Sequence, residues 1–96
     1  MEKRTRYVVV YDIPDDRRRN RVAKWLQGYG LRVQYSVFEC CLDERQFRRL
    51  WEGLRRRIQE EEDSIRAYRL CPLCAAWVKT LGLSGPAVEV PEVYVV

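Results

Sequence analysis

One carboxylate, Asp12, has the position in this sequence that is best suited to chemistry. It follows the β-branched and aromatic run at residues 7–11 and precedes Ile13 and Pro14, so it should lie at the C-terminal end of a buried strand. There it could face a ligand or a metal ion, although a lone aspartate is commonly a turn residue or a helix cap. Mg²⁺ often binds through one or two carboxylates. Two Asp12 side chains that meet at a twofold axis would therefore make a Mg²⁺ site, which Mn²⁺ could also fill.

Histidine is absent from the chain. Its absence excludes histidine general bases, histidine nucleophiles and mixed cysteine and histidine zinc sites. Any hydrolytic chemistry must therefore depend on carboxylates, usually together with a metal ion.

The segment after Asp12 is strongly basic. It contains two aspartates and then four arginines, Arg17, Arg18, Arg19 and Arg21. A planar guanidinium suits bidentate contact with phosphate, and the N-terminal end of a helix also attracts phosphate. Because the chain has a formal net charge of +4, we expect these arginines to bind nucleic acid. The alternative is a solvated helix face that pairs with Asp15 and Asp16.

The four cysteines form two close pairs, Cys40 with Cys41 and Cys71 with Cys74. Four thiolates could bind zinc, but adjacent residues of a regular strand point to opposite faces, which disfavours such a site. Buried thiols, or a disulfide between Cys71 and Cys74, are the favoured interpretation. Catalytic dithiol chemistry is disfavoured because this C-x-x-C motif does not open a helix after a first strand, as thioredoxin-like sites require.

The elements that must position these residues can be predicted from local patterns. Asp15 or Asp16 can cap a first helix that ends near Gly28 and Gly30. The extended run 31–42 predicts two strands that meet near residues 34–35. A second helix begins after a capping box and carries an apolar stripe. The box is Asp43 with Gln46, and the stripe is Phe47, Leu50, Trp51, Leu54 and Ile58.

An acidic run at residues 60–63 should end the second helix, and residues 64–70 predict a fourth strand. The order β-α-β-β-α-β is that of ferredoxin-like α+β folds, with both helices on one face of an antiparallel sheet. We expect one domain over residues 1–96, with its core at about 6–71. A connecting segment at 72–87 then leads to a C-terminal strand at 88–96, which completes its own or a partner's sheet.

The other face of this sheet should be uncovered. It carries apolar or mixed positions such as Val37 and Cys41, and a second copy of the chain is the simplest partner for it. The expected assembly is a homodimer whose sheets face each other. The apolar run before Asp12 is too short for a signal peptide or a membrane span, so we expect a cytoplasmic chain without a membrane partner.

Two motifs make the sequence similar to a known family. They are residues 7–16 (YVVVYDIPDD), followed by the arginine-rich helix, and residues 30–39 (GLRVQYSVFE). In both, the chain closely resembles the small CRISPR-associated endonuclease family, the second and smaller subunit of the spacer-acquisition machinery. The likeness runs from the first strand through the second helix. The cysteine pairs are the main departures from the family pattern, and they do not involve the Asp12 region.

The resemblance implies a ferredoxin-like homodimer with a divalent metal ion shared between two Asp12 carboxylates, and the CRISPR integrase subunit as a partner. It further implies roles in metal-dependent cleavage for Tyr11, Arg19, Arg21, Arg32 and Phe38. Members are regarded as nucleases on single-stranded RNA or on double-stranded DNA, or as non-catalytic scaffolds that hold DNA. An RNA-binding module of the RRM type is a weaker alternative because its aromatic signature is missing.

Overall fold

A four-stranded antiparallel sheet with two helices on one face forms most of the computed structural model, which describes residues 3–82. In chain order the elements are β1 (Thr5–Asp12), α1 (Asp16–Gln27), β2 (Gly30–Gln34), β3 (Val37–Leu42), α2 (Glu44–Arg55), β4 (Ser64–Leu70) and α3 (Pro72–Ala76). The strand order across the sheet is β2-β3-β1-β4, and every neighbouring pair is antiparallel. This is the predicted ferredoxin-like arrangement.

Side-chain caps fix the start of both long helices. The Asp15 carboxylate accepts the N–H of Arg18 at 2.9 Å, so Asp15 caps α1. At α2, Asp43 and Gln46 form the predicted capping box, with reciprocal bonds of 2.7 and 2.9 Å. The helix ends at Arg55, about one turn earlier than the apolar stripe suggested, and Ile58 packs against the core from the loop that follows.

The core lies between the sheet and the two long helices. It consists of alternate residues of the two central strands together with the inner faces of α1 and α2: Tyr7, Val9, Tyr11, Phe38, Cys40, Leu42, Val22, Leu26, Leu50 and Leu54. The helices are joined by the indole N–H of Trp25, which donates to the carbonyl of Leu50 at 3.0 Å. Close approach at this point depends on Gly53, since a Cβ there would overlap the Trp25 ring.

The face of the sheet opposite α1 and α2, which we call the open face, carries the other alternate residues. On β1 these are Arg6, Val8, Val10 and Asp12, and Val8 lies between Glu39 of β3 and Tyr68 of β4 in the register. Neither long helix covers this face, but the short helix α3 lies against it at Arg6, so within the described residues the predicted uncovered face is found only in part. Tyr68 is 48% exposed.

The connecting segment predicted over residues 72–87 begins with the short helix α3. The buried guanidinium of Arg6 donates to the carbonyl of Ala75 at 3.4 Å, which attaches α3 to β1. The predicted C-terminal strand at 88–96 lies outside the described residues. Within residues 3–82, no helix is long and apolar enough to cross a membrane.

Candidate functional site

Asp12 is the last residue of β1, and its side chain is exposed on the open face. Its partner in the register with β4 is Ser64, so a carboxylate and a hydroxyl lie opposite each other at this end of the sheet. Oxygen donors of this kind suit a hard cation such as Mg²⁺. Among the described residues, no group of three or more histidine, cysteine or acidic side chains could hold a metal ion. Asp12 therefore fits a divalent ion only as part of a ligand set completed by another chain or by substrate.

The loop after Asp12 is held by Arg19. The guanidinium donates to the carbonyls of Ile13 and Pro14 at 2.9 and 3.4 Å, and it forms an ion pair with Asp16. The hydrogen bond to Asp16 is the main reason that the pKa of Arg19 lies above its usual value. Arg19 thus fixes the backbone next to Asp12, which is a positioning role.

Tyr11 and Arg32 meet beside the turn between β2 and β3. The buried Tyr11 hydroxyl donates to the carbonyl of Tyr35 at 3.3 Å and accepts from the guanidinium of Arg32 at 3.5 Å. The guanidiniums of Arg19 and Arg32 lie 6.0 and 5.9 Å from the centre of the Tyr35 ring. These residues form a cluster of arginines and aromatic rings at the end of β1, on the side of the sheet covered by helices.

Phe38 packs against this cluster from the core of the protein. Its side chain is fully buried and its ring lies 5.4 Å from the guanidinium of Arg32 and 6.3 Å from the ring of Tyr11. A ring with no exposed surface cannot contact a nucleic acid, so any role of Phe38 is to support Arg32 and Tyr11. The structure brings Tyr11, Arg19, Arg32 and Phe38 together, but it places Asp12 on the opposite face of the same strand.

The four arginines of α1 have different environments. Arg17 and Arg21 are exposed, and no hydrogen bond or ion pair within residues 3–82 engages their side chains. Arg18 instead forms a two-point ion pair with Asp63, at 2.8 and 3.1 Å, and reaches Glu62 at 3.2 Å. Since its guanidinium is occupied within the fold, the expectation that Arg18 contacts nucleic acid is not supported by this geometry.

Asp63 was not recognised as important in the sequence, where it looks like the end of an acidic run. Its side chain is fully buried, and besides Arg18 it accepts the N–H of Gln59 at 2.9 Å. The hydrogen bond from Arg18 holds the pKa of Asp63 below its usual value. Tyr35 and Ser64 were not predicted either. Strand pairing brings Tyr35 to the Tyr11 hydroxyl and Ser64 opposite Asp12, and the sequence alone does not give this pairing.

The cysteines do not form a zinc site within the described residues. Cys40 is buried and Cys41 half-buried on opposite faces of β3, as predicted, and burial raises the pKa of Cys40 to about 11. Cys71 and Cys74 are free and exposed in this structure, so the interpretation as buried thiols does not hold for this pair. They lie in the first turn of α3, a helix that contributes no buried residue of its own.

Comparison with known proteins shows the same family as the two motifs suggested. The model of the family described as CRISPR associated protein Cas2 matches residues 5–77. The chain belongs to the Cas2 family. It is 59% identical over 64 residues to the CRISPR-associated endoribonuclease Cas2 3 of Synechocystis sp., a match that covers 67% of this chain and 70% of the relative. It is 47% identical over 89 residues to the CRISPR-associated endonuclease Cas2 2 of Thermus thermophilus, covering 93% of each.

Solved Cas2 structures share the fold. Streptococcus pyogenes Cas2 superposes with a TM-score of 0.72 at 38% identity, covering 80% of this chain and 99% of that one. A chain of a partial Cas6-RT-Cas1–Cas2 complex superposes with a TM-score of 0.70 at 27% identity, covering 88% of this chain and 96% of that one. The second structure contains a Cas2-like chain assembled with Cas1.

Proposed function

We propose that this chain is a Mg²⁺-dependent endonuclease that cleaves phosphodiester bonds of single-stranded RNA or duplex DNA. It would act in the cytoplasm during CRISPR adaptation, beside the integrase subunit. The observation that carries the proposal is the position of Asp12, an exposed carboxylate at the end of β1 on the open face. The names of the Synechocystis and Thermus relatives, endoribonuclease and endonuclease, support it.

The acting unit is a homodimer formed through the open face. This face presents apolar surface, including Leu31, which is 63% exposed, and Tyr68. A second copy would cover that surface and bring its own Asp12 towards the first, since a twofold axis places equivalent residues together. The C-terminal strand, outside the described residues, is expected to complete the partner's sheet.

The two Asp12 carboxylates would hold the divalent ion, with Mn²⁺ as an alternative to Mg²⁺. When bound, such an ion supplies Lewis-acid stabilisation of the charge that develops on the phosphoryl oxygens. Arg19 fixes the loop at Ile13 and Pro14, so that the Asp12 carboxylate is presented from a rigid strand end. Precise placement of this kind is needed because small displacements of catalytic groups lower rates strongly.

The arginines of α1 would bind the substrate backbone. Arg17 and Arg21 are exposed near the start of the helix and are free to reach phosphate oxygens. Arg32, exposed at the edge strand β2 and held by the Tyr11 hydroxyl, adds a positive charge at the same end of the sheet. Charged contacts of this type position a nucleic acid without reading its sequence.

A second candidate function is a DNA-binding scaffold of the integration complex without turnover. Two observations favour it: the chain resembles the Cas2-like chain in a complex that contains Cas1, and among residues 3–82 no group of three or more metal-ligating side chains is found. A dimer with basic helices would bind a duplex whether or not it cleaves it.

The experiment compares wild type with Asp12→Asn on duplex DNA and on single-stranded RNA, across Mg²⁺ and Mn²⁺ concentrations. Spacer integration with the integrase subunit is measured in parallel. The proposal expects metal-dependent cleavage by wild type and none by the variant, with equal binding affinity for the duplex. If neither protein cleaves and the variant still supports integration, the scaffold function replaces the endonuclease.

A further inference from the structure

The exposed thiols of Cys71 and Cys74 are a feature that nuclease function does not use. They are separated by Pro72 and Leu73 and lie one helical turn apart. The N–H of Cys74 donates to the sulfur of Cys71 at 3.4 Å. The side chains therefore face each other across the first turn of α3 with open access to solvent.

The two thiols differ in acidity because of this contact. Hydrogen bonds from the N–H and from the thiol of Cys74 lower the pKa of Cys71, while the same contact raises the pKa of Cys74. One sulfur is thus the better nucleophile and the other is kept protonated beside it. A nucleophilic thiol with a second thiol within reach is the arrangement needed for disulfide exchange.

The other two cysteines do not have this arrangement. Cys40 is buried in the core, where burial raises its pKa to about 11, and Cys41 is half-buried on the opposite face of β3. Burial restricts the access of an oxidant to both sulfurs. Any oxidation of the folded chain should therefore begin at α3.

We propose that Cys71 and Cys74 form a reversible disulfide by exchange with small-molecule disulfides such as oxidised glutathione. The Cys71 thiolate attacks one sulfur of glutathione disulfide, forms a mixed disulfide and releases one glutathione thiolate. The Cys74 thiol then loses its proton to solvent and attacks the sulfur of Cys71, which releases the second glutathione. The chain loses two electrons and two protons, and one glutathione disulfide becomes two thiols.

The disulfide would close a covalent loop at the start of α3. This helix is attached to the sheet where Arg6 donates to the carbonyl of Ala75, one residue beyond Cys74. Bridging the first turn restricts the unfolded forms of the helix, so amide hydrogen exchange within Pro72–Ala76 should slow on oxidation. The modification thus acts on the segment that leads from the domain to its C-terminal residues.

The test uses the full chain, reduced and then incubated with oxidised glutathione, unfolded in denaturant, alkylated and weighed by intact mass spectrometry. Wild type should lose two of its four alkylatable thiols, with no glutathione retained, and peptide mapping should assign the bond to Cys71 and Cys74. Dithiothreitol should restore all four. Cys74→Ser should stop with glutathione bound to Cys71, whereas Cys41→Ser, the matched control, should form the disulfide like wild type.

Three results would overturn the proposal. They are wild type in which all four thiols remain alkylatable, wild type that retains glutathione on Cys71, and covalent dimers in place of the internal bond. Amide hydrogen exchange of the core, measured on each variant, tests whether the fold is intact. Cys71 and Cys74 are both exposed, so serine at either position should leave core protection unchanged.

Discussion

Tyr11 and Asp12 are consecutive residues of β1 that lie on opposite faces of the sheet. Tyr11 is buried under the helices and bonded to the turn at Tyr35, while Asp12 is exposed on the open face. The strand period of two makes this division unavoidable. A substrate bound at Asp12 would not contact the Tyr11 hydroxyl directly in one chain, so any role of Tyr11 in cleavage would be exerted through Arg32 and the turn.

The α1 arginines should contribute unequally to nucleic-acid binding. Replacing the exposed Arg17 and Arg21 with glutamine should weaken duplex DNA binding, because phosphate contacts are lost. Each lost contact should make the negative slope of log affinity against log salt shallower by about 0.9. Arg48→Gln, on the exposed side of α2, is the matched control. Equal losses from the control and from the α1 variants would contradict a localised contact. Gel-shift affinities at several salt concentrations supply the slopes.

Gly53→Ala should destabilise the fold, because its Cβ would overlap the indole of Trp25 where α1 and α2 approach each other. Overpacking of this kind costs about 1 to 3 kcal/mol in the free energy of unfolding. Gly28→Ala is the control, because its Cβ would lie at an ordinary 3.5 Å from the carbonyl of Trp25. Urea unfolding of both variants measures the difference, and equal stability of the two would refute the close helix contact.

Asp63 should make stability depend on pH in the acidic range. Its folded pKa is lowered by Arg18, so the unfolded chain binds more protons, and the stabilisation is complete above the unfolded value of about 3.9. It is lost as pH falls through the lowered folded pKa. Wild type should therefore melt at lower temperature as acid is added through this window.

Asp63→Asn removes the ion pair and should lower the melting temperature at neutral pH by several degrees, with a flatter acid dependence. Glu61→Gln, an exposed acid of the same loop, is the control and should melt like wild type. An acid dependence in Asp63→Asn as steep as that of wild type would show that other carboxylates cause it.

The fold could be predicted where local patterns decide it. The strand that ends at Asp12 and the capping box of Asp43 and Gln46 depend on neighbours in the sequence, and both were confirmed. The pair of Arg18 and Asp63 joins residues 45 positions apart, and no local pattern indicates which of four arginines an acid will bind. The exposure of Cys71 and Cys74 could not be predicted either, since burial depends on how α3 packs after the last strand.

The part of the candidate site that depends on neighbouring residues could also be predicted, whereas contacts between distant residues could not. The place of Asp12 at a strand end follows from the residues around it. That Arg19 holds Ile13 and Pro14 depends on how α1 turns back on the loop after β1. That Tyr35 meets both Arg19 and Arg32 depends on where the turn between β2 and β3 lies relative to α1. The resemblance to the family named the candidate residues, and the structure shows that Asp12 lies on the opposite face of the sheet from Tyr11, Arg19, Arg32 and Phe38.

The central claim is that two chains share one metal site through Asp12. Wild-type and Asp12→Asn chains are mixed in varying proportions, unfolded, refolded together and assayed for Mg²⁺-dependent cleavage. If both carboxylates are required, activity falls as the square of the wild-type fraction, to about one quarter when half of the chains are variant. A linear decline, to about one half at the same mixture, would show that each Asp12 acts alone and would contradict the shared site.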